Sequence, residues 1–328
     1  MEEAVIVGAG PCGLSAALEL RKTGIDPLLI EKHNVVHSIY LYPTYMTFFS
    51  TPELLEIGGY PFSTPNEKPT RLEALTYYRT VASRSALRVR PYHTVTSVRK
   101  TSAGTFELDV VDRFERRETV CARRVVVATG YFDHPNMLGI PGEEMPKVSH
   151  YYREAHPYAG TKVAIIGGSN SAIDAAMDLF KAGADITVVY RGEQYSPTIK
   201  PWVRPIFESM VAKGYIRMMF RSRVIRIGEH SIAIDADGTE TELENDFVLA
   251  LTGFRPDRSL LVSAGAKLDE ATGTPLFDPD TMETTVPGLY IAGVAASGTN
   301  ANEIFIETGR HHGTKIAEHI ADRVRGGG

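Results

Sequence analysis

Two glycine-rich turns and one cysteine hold the residue types whose spacing can do chemistry. In the first turn, Gly8, Gly10 and Gly13 stand in a GxGxxG arrangement after the apolar run Val5-Ile6-Val7. A helical pattern follows from Pro11, with Leu14, Ala17, Leu18 and Leu20 on its apolar face. Gly24 closes it, and Pro27-Leu28-Leu29-Ile30 starts a second strand ending at Glu31 and Lys32. Such a turn binds anions. The first glycine permits the tight bend, the second lets the backbone approach a pyrophosphate, and the third lets helix and strand pack closely. The N–H groups of the helix start hold the charge, and an acid at the second strand's end accepts hydrogen bonds from a ribose.

The second turn repeats the plan over Lys162 to Arg191: strand, turn, helix, Gly183, strand. It reads Gly167-Gly168-Ser169-Asn170-Ser171-Ala172, with Ser169 in place of the middle glycine. Where the first copy ends in Glu31, this reading sets Arg191. A carboxylate repels a 2′-phosphate, whereas a guanidinium binds one through a charge-assisted fork. The pattern favours NADPH over NADH at the second site and an unphosphorylated ribose at the first. The alternative is that Arg191 is a solvated surface charge.

Cys12 lies inside the first turn. A thiol at a helix N-terminus tends towards a lowered pKa, and the thiolate is its reactive form. A bound pyrophosphate would act in the opposite direction. A small cysteine can also fill an alanine-sized space as packing. On the residues alone these readings stand level. Cys121, in a stretch of strand character, reads as structural.

The chain around these residues has 328 positions, enough for about two domains of roughly 150 residues. Its composition is 43% hydrophobic and 23% charged, a globular balance, with net charge −5. That charge gives no long-range pull on nucleic acid or an anionic membrane. There is no membrane-length apolar run, and the acidic start Met1-Glu2-Glu3 is unlike a signal peptide, so a cytoplasmic protein is expected. Two distant cysteines form no CxxC pair, and no residue spacing suggests a metal site.

Strand character recurs at 94–100, 105–111 and 124–130. The last run, ending Ala128-Thr129-Gly130, resembles the strand that ends the first half of the FAD domain in two-dinucleotide-binding flavoproteins. The expected fold is α/β: two Rossmann-like, three-layer ββα dinucleotide-binding domains, the NADPH domain inserted in the FAD domain. The expected boundaries are 1–134 for the first part of the FAD domain, 135–160 for a linker, 161–253 for the NADPH domain and 254–328 for the rest of the FAD domain. A last helix is expected from about Ile304 to Val324, its N-terminus suited to stabilising negative charge on a flavin.

Three blocks sharpen the resemblance: GAGPCGL at 8–14, HSIYLYPTYMTFFSTPELLEIGG at 37–59 and GLYIAGVAASGTNANEIFIETGRHHG at 288–313. Together they resemble the YpdA-type bacillithiol disulfide reductases, which share the plan of low-molecular-weight thioredoxin reductases, and the resemblance covers essentially the whole chain. Val294 stands where the wider family has the aspartate that holds the ribityl chain. The resemblance implies an NADPH- and FAD-dependent reductase of a low-molecular-weight disulfide, with Cys12 as the thiol involved, in a homo-oligomer. It assigns FAD to Gly8, Gly10, Pro11, Gly13, Glu31, Lys32, Ser50, Thr129, Gly130, Gly293, Val294, Ile304 and Phe305. It assigns NADPH to Gly167, Gly168, Ser169, Asn170, Ser171 and Arg191. Met46, Phe48 and Phe49 read either as core or as part of a segment lining the flavin pocket. Val148 to Tyr152, where thioredoxin reductases carry their CxxC, holds no cysteine, which excludes a dithiol relay to thioredoxin. Other readings are a flavin-dependent monooxygenase, though its FxGxxxHxxx(F/W) signature is missing around His150, a ferredoxin–NADP reductase of the same plan, and a nucleotide-binding redox sensor without turnover.

Overall fold

A computed structural model describes residues 1–298 and 303–326. Residues 299–302, part of the third sequence block, lie outside the described residues. The chain forms two units. The first comprises Met1–Tyr40, Met46–His134 and Phe254–Gly328; the second comprises Leu41–Tyr45 and Pro135–Gly253.

The first unit starts with β1 (Val5–Val7), α1 (Pro11–Lys22), β2 (Leu28–Ile30), α2 (His37–Leu41), α3 (Pro52–Leu55), α4 (Arg71–Arg84) and β3 (Arg88–Arg90). An antiparallel sheet of β4 (His93–Lys100), β5 (Phe106–Asp112) and β6 (Arg117–Ala122) follows, then β7 (Val125–Val127). The sequence reading missed β6, whose Arg117, Glu118 and Thr119 are exposed and break the apolar alternation.

In the second unit, β8 (Val148–Ser149), β9 (Lys162–Ile166), α5 (Asn170–Lys181), β10 (Asp185–Val189), α6 (Arg204–Ala212) and β11 (Arg217–Met219) come first. The antiparallel strands β12 (Ser222–Ile227), β13 (Ser231–Ala236) and β14 (Thr239–Glu244) and then β15 (Phe247–Ala250) complete it. The chain returns to the first unit with α7 (Ser259–Ser263), β16 (Leu289–Ile291), α8 (Ile306–Gly309) and α9 (His312–Gly326).

The two units share one topology. The first has a parallel sheet in the order β16-β7-β1-β2-β3, the second in the order β11-β10-β9-β15-β8. In each, the strand before the glycine turn is central, and a three-stranded sheet lies in the chain between the outer strand on one side of it (β3 or β11) and the strand next to it on the other (β7 or β15). The fifth place differs in origin: β16 comes late in the chain, whereas β8 comes from the 135–160 stretch read above as a linker. The strands β1, β2, β7 and β16 are completely buried, on both faces, which is why they read as apolar runs. In the second unit the layers are explicit. Val163 and Ile165 pack with Ile173, Ala176 and Leu179 of α5 on one face. Ala164 and Ile166 pack with Val224, Ile232 and Ile234 of the antiparallel sheet on the other.

The single C-terminal helix expected from Ile304 is two helices. α8 ends at Gly309 and α9 begins at His312. The Ser15 hydroxyl donates to Arg310 O at 2.7 Å, tying that break to α1. No helix among the described residues is long and apolar enough to cross a membrane.

Candidate nucleotide and thiol sites

The first turn is built by close approach of backbone to backbone. Gly8 has φ +107°, and a Cβ there would lie 2.5 Å from Ala128 O. A Cβ on Gly13 would collide with Gly8 O. Both positions therefore require glycine. At Gly10 a Cβ would meet nothing within 4 Å, which leaves open space over the turn. α1 starts with Pro11 at its first position and has no side-chain cap, so its first amides point outward without a side-chain partner. Glu31 is buried, and its carboxylate accepts from Ala9 N at 2.7 Å and His33 N at 2.8 Å. Burial, the largest influence, raises its pKa, and the two backbone donors act against that. These features fit a dinucleotide: an uncapped helix start for the pyrophosphate and an immobilised acid at the strand end for a ribose. Thr129, just past the end of β7, lies against Gly8 and is followed by Gly130, whereas Lys32 is exposed and pairs loosely with Asp133 at 3.4 Å.

The second turn repeats the geometry with one substitution. Gly167 has φ +142°, and a Cβ there would lie 2.5 Å from Leu251 O. α5 starts at Ser169 without a side-chain cap, and Ser169 and Ser171 are exposed. Asn170 is engaged elsewhere: its amide nitrogen donates to Thr198 O at 2.8 Å, and its oxygen accepts from Lys200 N at 2.9 Å.

The register corrects the sequence reading. Gly8 N donates to Ile30 O in the first unit, and Gly167 N donates to Val189 O in the second. Ile30 and Val189 are thus equivalent, which makes Tyr190, and not Arg191, the counterpart of Glu31. Arg191 matches Lys32. In the first unit the Glu31 side chain spans Ala9 and His33; in the second the Tyr190 ring spans their counterparts, and a Cβ on Gly168 or on Gly192 would strike that ring. Arg191 is exposed and makes no ion pair among the described residues.

Cys12 stands on α1 with its Sγ in a niche made by two glycines. A Cβ on Gly293 or on Gly309 would lie 2.8 Å from Sγ. Gly293 starts the turn Gly293–Ala296, which contains the half-buried Val294, and its N–H donates to His312 Nδ1 at 3.1 Å. Burial, then the neighbouring Lys315 and His311, lower the His312 pKa to about 4, so the ring is neutral and, with Nδ1 accepting from Gly293, carries its proton on Nε2. Ile304 Cγ2 would lie 3.3 Å from a Cβ on Gly309, and the exposed Phe305 is the residue before α8. The Cys12 thiol is pushed up to about 12, by burial first and by the Glu307 carboxylate second. That is the reverse of the thiolate expected at a helix start: exclusion from water outweighs the helix field here. Ser50 hydrogen-bonds to Glu307, so the segment following Met46-Thr47-Phe48-Phe49 reaches the same place. Cys121 is on β6, and both cysteines are free.

Sequence reasoning missed Glu307, Gly309 and His312. An acid in a helix's first turn is ordinary, and the two others act only through contacts with distant segments.

Two glycine-turn units of one topology, one inserted in the other, define the class of two-dinucleotide-binding oxidoreductases. Residues 5–293 match the family described as pyridine nucleotide-disulphide oxidoreductase. The chain is 51% identical to the bacilliredoxin reductase Bdr of Bacillus subtilis over 98% of each chain. It superposes on the bacillithiol disulfide reductase Bdr (YpdA) of Bacillus cereus with TM-score 0.96 and 50% identity, covering 98% of this chain and 99% of that one. For the Staphylococcus aureus protein of the same name the values are 0.93 and 44%, with 98% of each chain covered. The chain belongs to the pyridine nucleotide-disulphide oxidoreductase family, in its Bdr (YpdA) branch. Membership brings use of a flavin and a pyridine nucleotide.

Proposed function

We propose that this chain is an NADPH-dependent, FAD-containing reductase of a low-molecular-weight disulfide, with bacillithiol disulfide as the substrate. The observation that carries the reading is 51% identity over 98% of the chain to a Bdr, together with a lone thiol set in the first glycine turn. FAD belongs at the first turn, where Glu31 takes a ribose that bears no phosphate. NADPH belongs at the second, where Tyr190 replaces the acid and removes its repulsion of a 2′-phosphate. Bound there, the two groups supply hydride transfer from nicotinamide to flavin and two electrons for one S–S bond.

The chain's own residues do the rest. Gly8 and Gly13 shape the turn, the α1 amides hold the pyrophosphate, and Cys12 meets the disulfide. Its thiol must lose a proton before it can attack sulfur, and the Glu307 carboxylate is the nearby acceptor. Overall, the disulfide gains two electrons and two protons and leaves as two thiols. No second cysteine stands beside Cys12 in sequence, so a flavin held at the first turn would supply the electrons to a mixed disulfide on Cys12 or to the substrate itself.

The names of the relatives differ on the acceptor: bacilliredoxin, a protein, for the B. subtilis enzyme and bacillithiol disulfide for the two solved structures. One experiment separates them. The purified protein should be yellow with one FAD per chain and should be bleached anaerobically by NADPH. Reoxidation is then followed with bacillithiol disulfide, other small disulfides, an oxidised bacilliredoxin and a ferredoxin. Reoxidation by bacillithiol disulfide alone supports the proposal. Reoxidation only by the protein disulfide, or only by ferredoxin, replaces it.

A further inference from the structure

The second unit holds a pair of arginines that the glycine-turn pattern does not include. β10 and β11 run parallel, with Thr187 opposite Arg217, Val188 opposite Met218 and Val189 opposite Met219. The ladder continues past the strand ends. Tyr190 N donates to Met219 O at 2.9 Å, Ser222 N to Tyr190 O at 3.1 Å, and Arg221 N to Gly192 O at 2.9 Å. The last two bonds depart from the strand offset as the chain bends at Arg221, and they lay Arg221 beside the Tyr190–Gly192 segment, its backbone next to that of Arg191 at about 5 Å, the spacing of neighbouring strands. Both side chains are exposed, at the carboxyl edge of a parallel sheet, the edge at which such sheets bind ligands.

Two like charges on neighbouring strands repel each other unless an anion comes between them. The counter-charges present are weak. Among the described residues Arg191 has none, and Arg221 has Glu193 and Asp237, each at 3.9 Å and each 69% or more exposed. The fold does not require this pairing. The equivalent turn of the first unit, made by Tyr92 N donating to His33 O at 3.0 Å, sets Tyr92 beside Lys32. Tyr92 has φ +60° and Arg221 has φ +47°, so the left-handed bend belongs to the shared topology and the second cation to this unit alone.

We infer that Arg221 is a specificity residue for the pyridine nucleotide. With Arg191 it forms a two-guanidinium clamp for the adenosine 2′-phosphate. This rests on the proposed assignment of NADPH to the second turn and adds to it a residue about thirty positions downstream. A dianion between the guanidinium groups accepts charge-assisted hydrogen bonds from both and relieves their repulsion. NADH, without that phosphate, leaves the pair unneutralised.

The test is calorimetric and independent of turnover. The flavin-loaded protein is titrated with 2′,5′-ADP and with 5′-AMP, which lacks the 2′-phosphate. Arg221→Gly removes the side chain and suits the left-handed backbone; Arg221→Lys keeps a charge without the fork. Expected is a loss of about tenfold or more in affinity for 2′,5′-ADP in the glycine variant, partial recovery in the lysine variant, and a change of less than twofold for 5′-AMP. Unchanged 2′,5′-ADP affinity in Arg221→Gly would overturn the clamp. So would equal losses for both nucleotides, which would mark Arg221 as a structural residue. If the unmutated protein binds both nucleotides equally, the NADPH assignment itself fails, and that outcome is read before any variant is made.

Discussion

Tyr190 holds in the second unit the place that Glu31 holds in the first. Each side chain lies across the second residue of its glycine turn and the residue two positions beyond itself. Glu31 does so with two hydrogen bonds from Ala9 N and His33 N; Tyr190 does so with its ring against Gly168 and Gly192. A carboxylate can share those amides with alanine and histidine in place, whereas a ring needs both flanking side chains removed. Gly168 is therefore fixed by Tyr190 and not by the turn motif, whose first copy has Ala9 at this place. Gly168→Ala should destabilise the protein by about 1–3 kcal/mol, as overpacking does. Tyr190→Ala should relieve that clash. A double-mutant cycle on denaturation midpoints should show coupling of about 0.5 kcal/mol or more between the two sites. Additive losses would mean that the ring turns aside at no cost.

Counting from the two glycines was enough to set Tyr190 against Glu31, but the strand ends suggested Arg191, because a charge is more conspicuous than an aromatic ring. The turns, central strands and insertion were legible because each rests on local rules: strand apolarity, glycine at positive φ, helix periodicity. The antiparallel β6 and the strand β8 were not, since one is polar on its open face and the other is two residues long. The surroundings of Cys12 could not be read either. Gly293, Gly309 and Glu307 reach it from the other end of the chain, and the thiol's protonation follows from burial, which no spacing reveals.

The proposed 2′-phosphate contact is assigned to Arg191 from its shifted register, one residue past Tyr190. Arg191→Ala should lower the preference for NADPH over NADH in anaerobic flavin reduction, by about 1.5–3 kcal/mol for a charge-assisted contact. Stopped-flow reduction rates at matched nucleotide concentrations measure this. Unmutated protein that uses both coenzymes equally would show Arg191 to be a solvated charge.

The raised thiol predicts a direction with pH. The Cys12 proton is held above the ordinary thiol value of 9.0, up to about 12, by burial and then by Glu307. The folded state therefore binds this proton more tightly than the unfolded chain. Its contribution to stability is complete below about pH 9 and is lost as pH rises from there towards 12. Iodoacetamide should label Cys12 slowly at pH 8, more slowly than Cys121, with peptide mapping telling the two apart. Glu307→Gln removes the second cause and should speed labelling of Cys12 at pH 9 by about threefold or more, with burial still holding the thiol above its ordinary value. Rapid labelling of the unmutated protein at pH 7 would contradict the burial described here.

Cys12→Ala tests both the niche and the chemistry. The change removes one sulfur from a space bounded by Gly293 and Gly309, so the turn, α1 and Glu31 should keep their places. Flavin content and bleaching by NADPH should survive, because neither the α1 amides nor the second unit depends on the sulfur. Disulfide turnover should fall to near background, because no other thiol on α1 can take its role. The niche gives an internal control. Gly309→Ala would bring a Cβ to 2.8 Å from Sγ, and Cys12→Ala removes that clash. The double variant should therefore melt at a higher temperature than Gly309→Ala alone while still turning over no disulfide. Recovery of stability without recovery of turnover separates the sulfur's packing from its chemistry. If Cys12→Ala reduces bacillithiol disulfide at the unmutated rate, Cys12 only fills the niche, and the disulfide is reduced by the flavin directly.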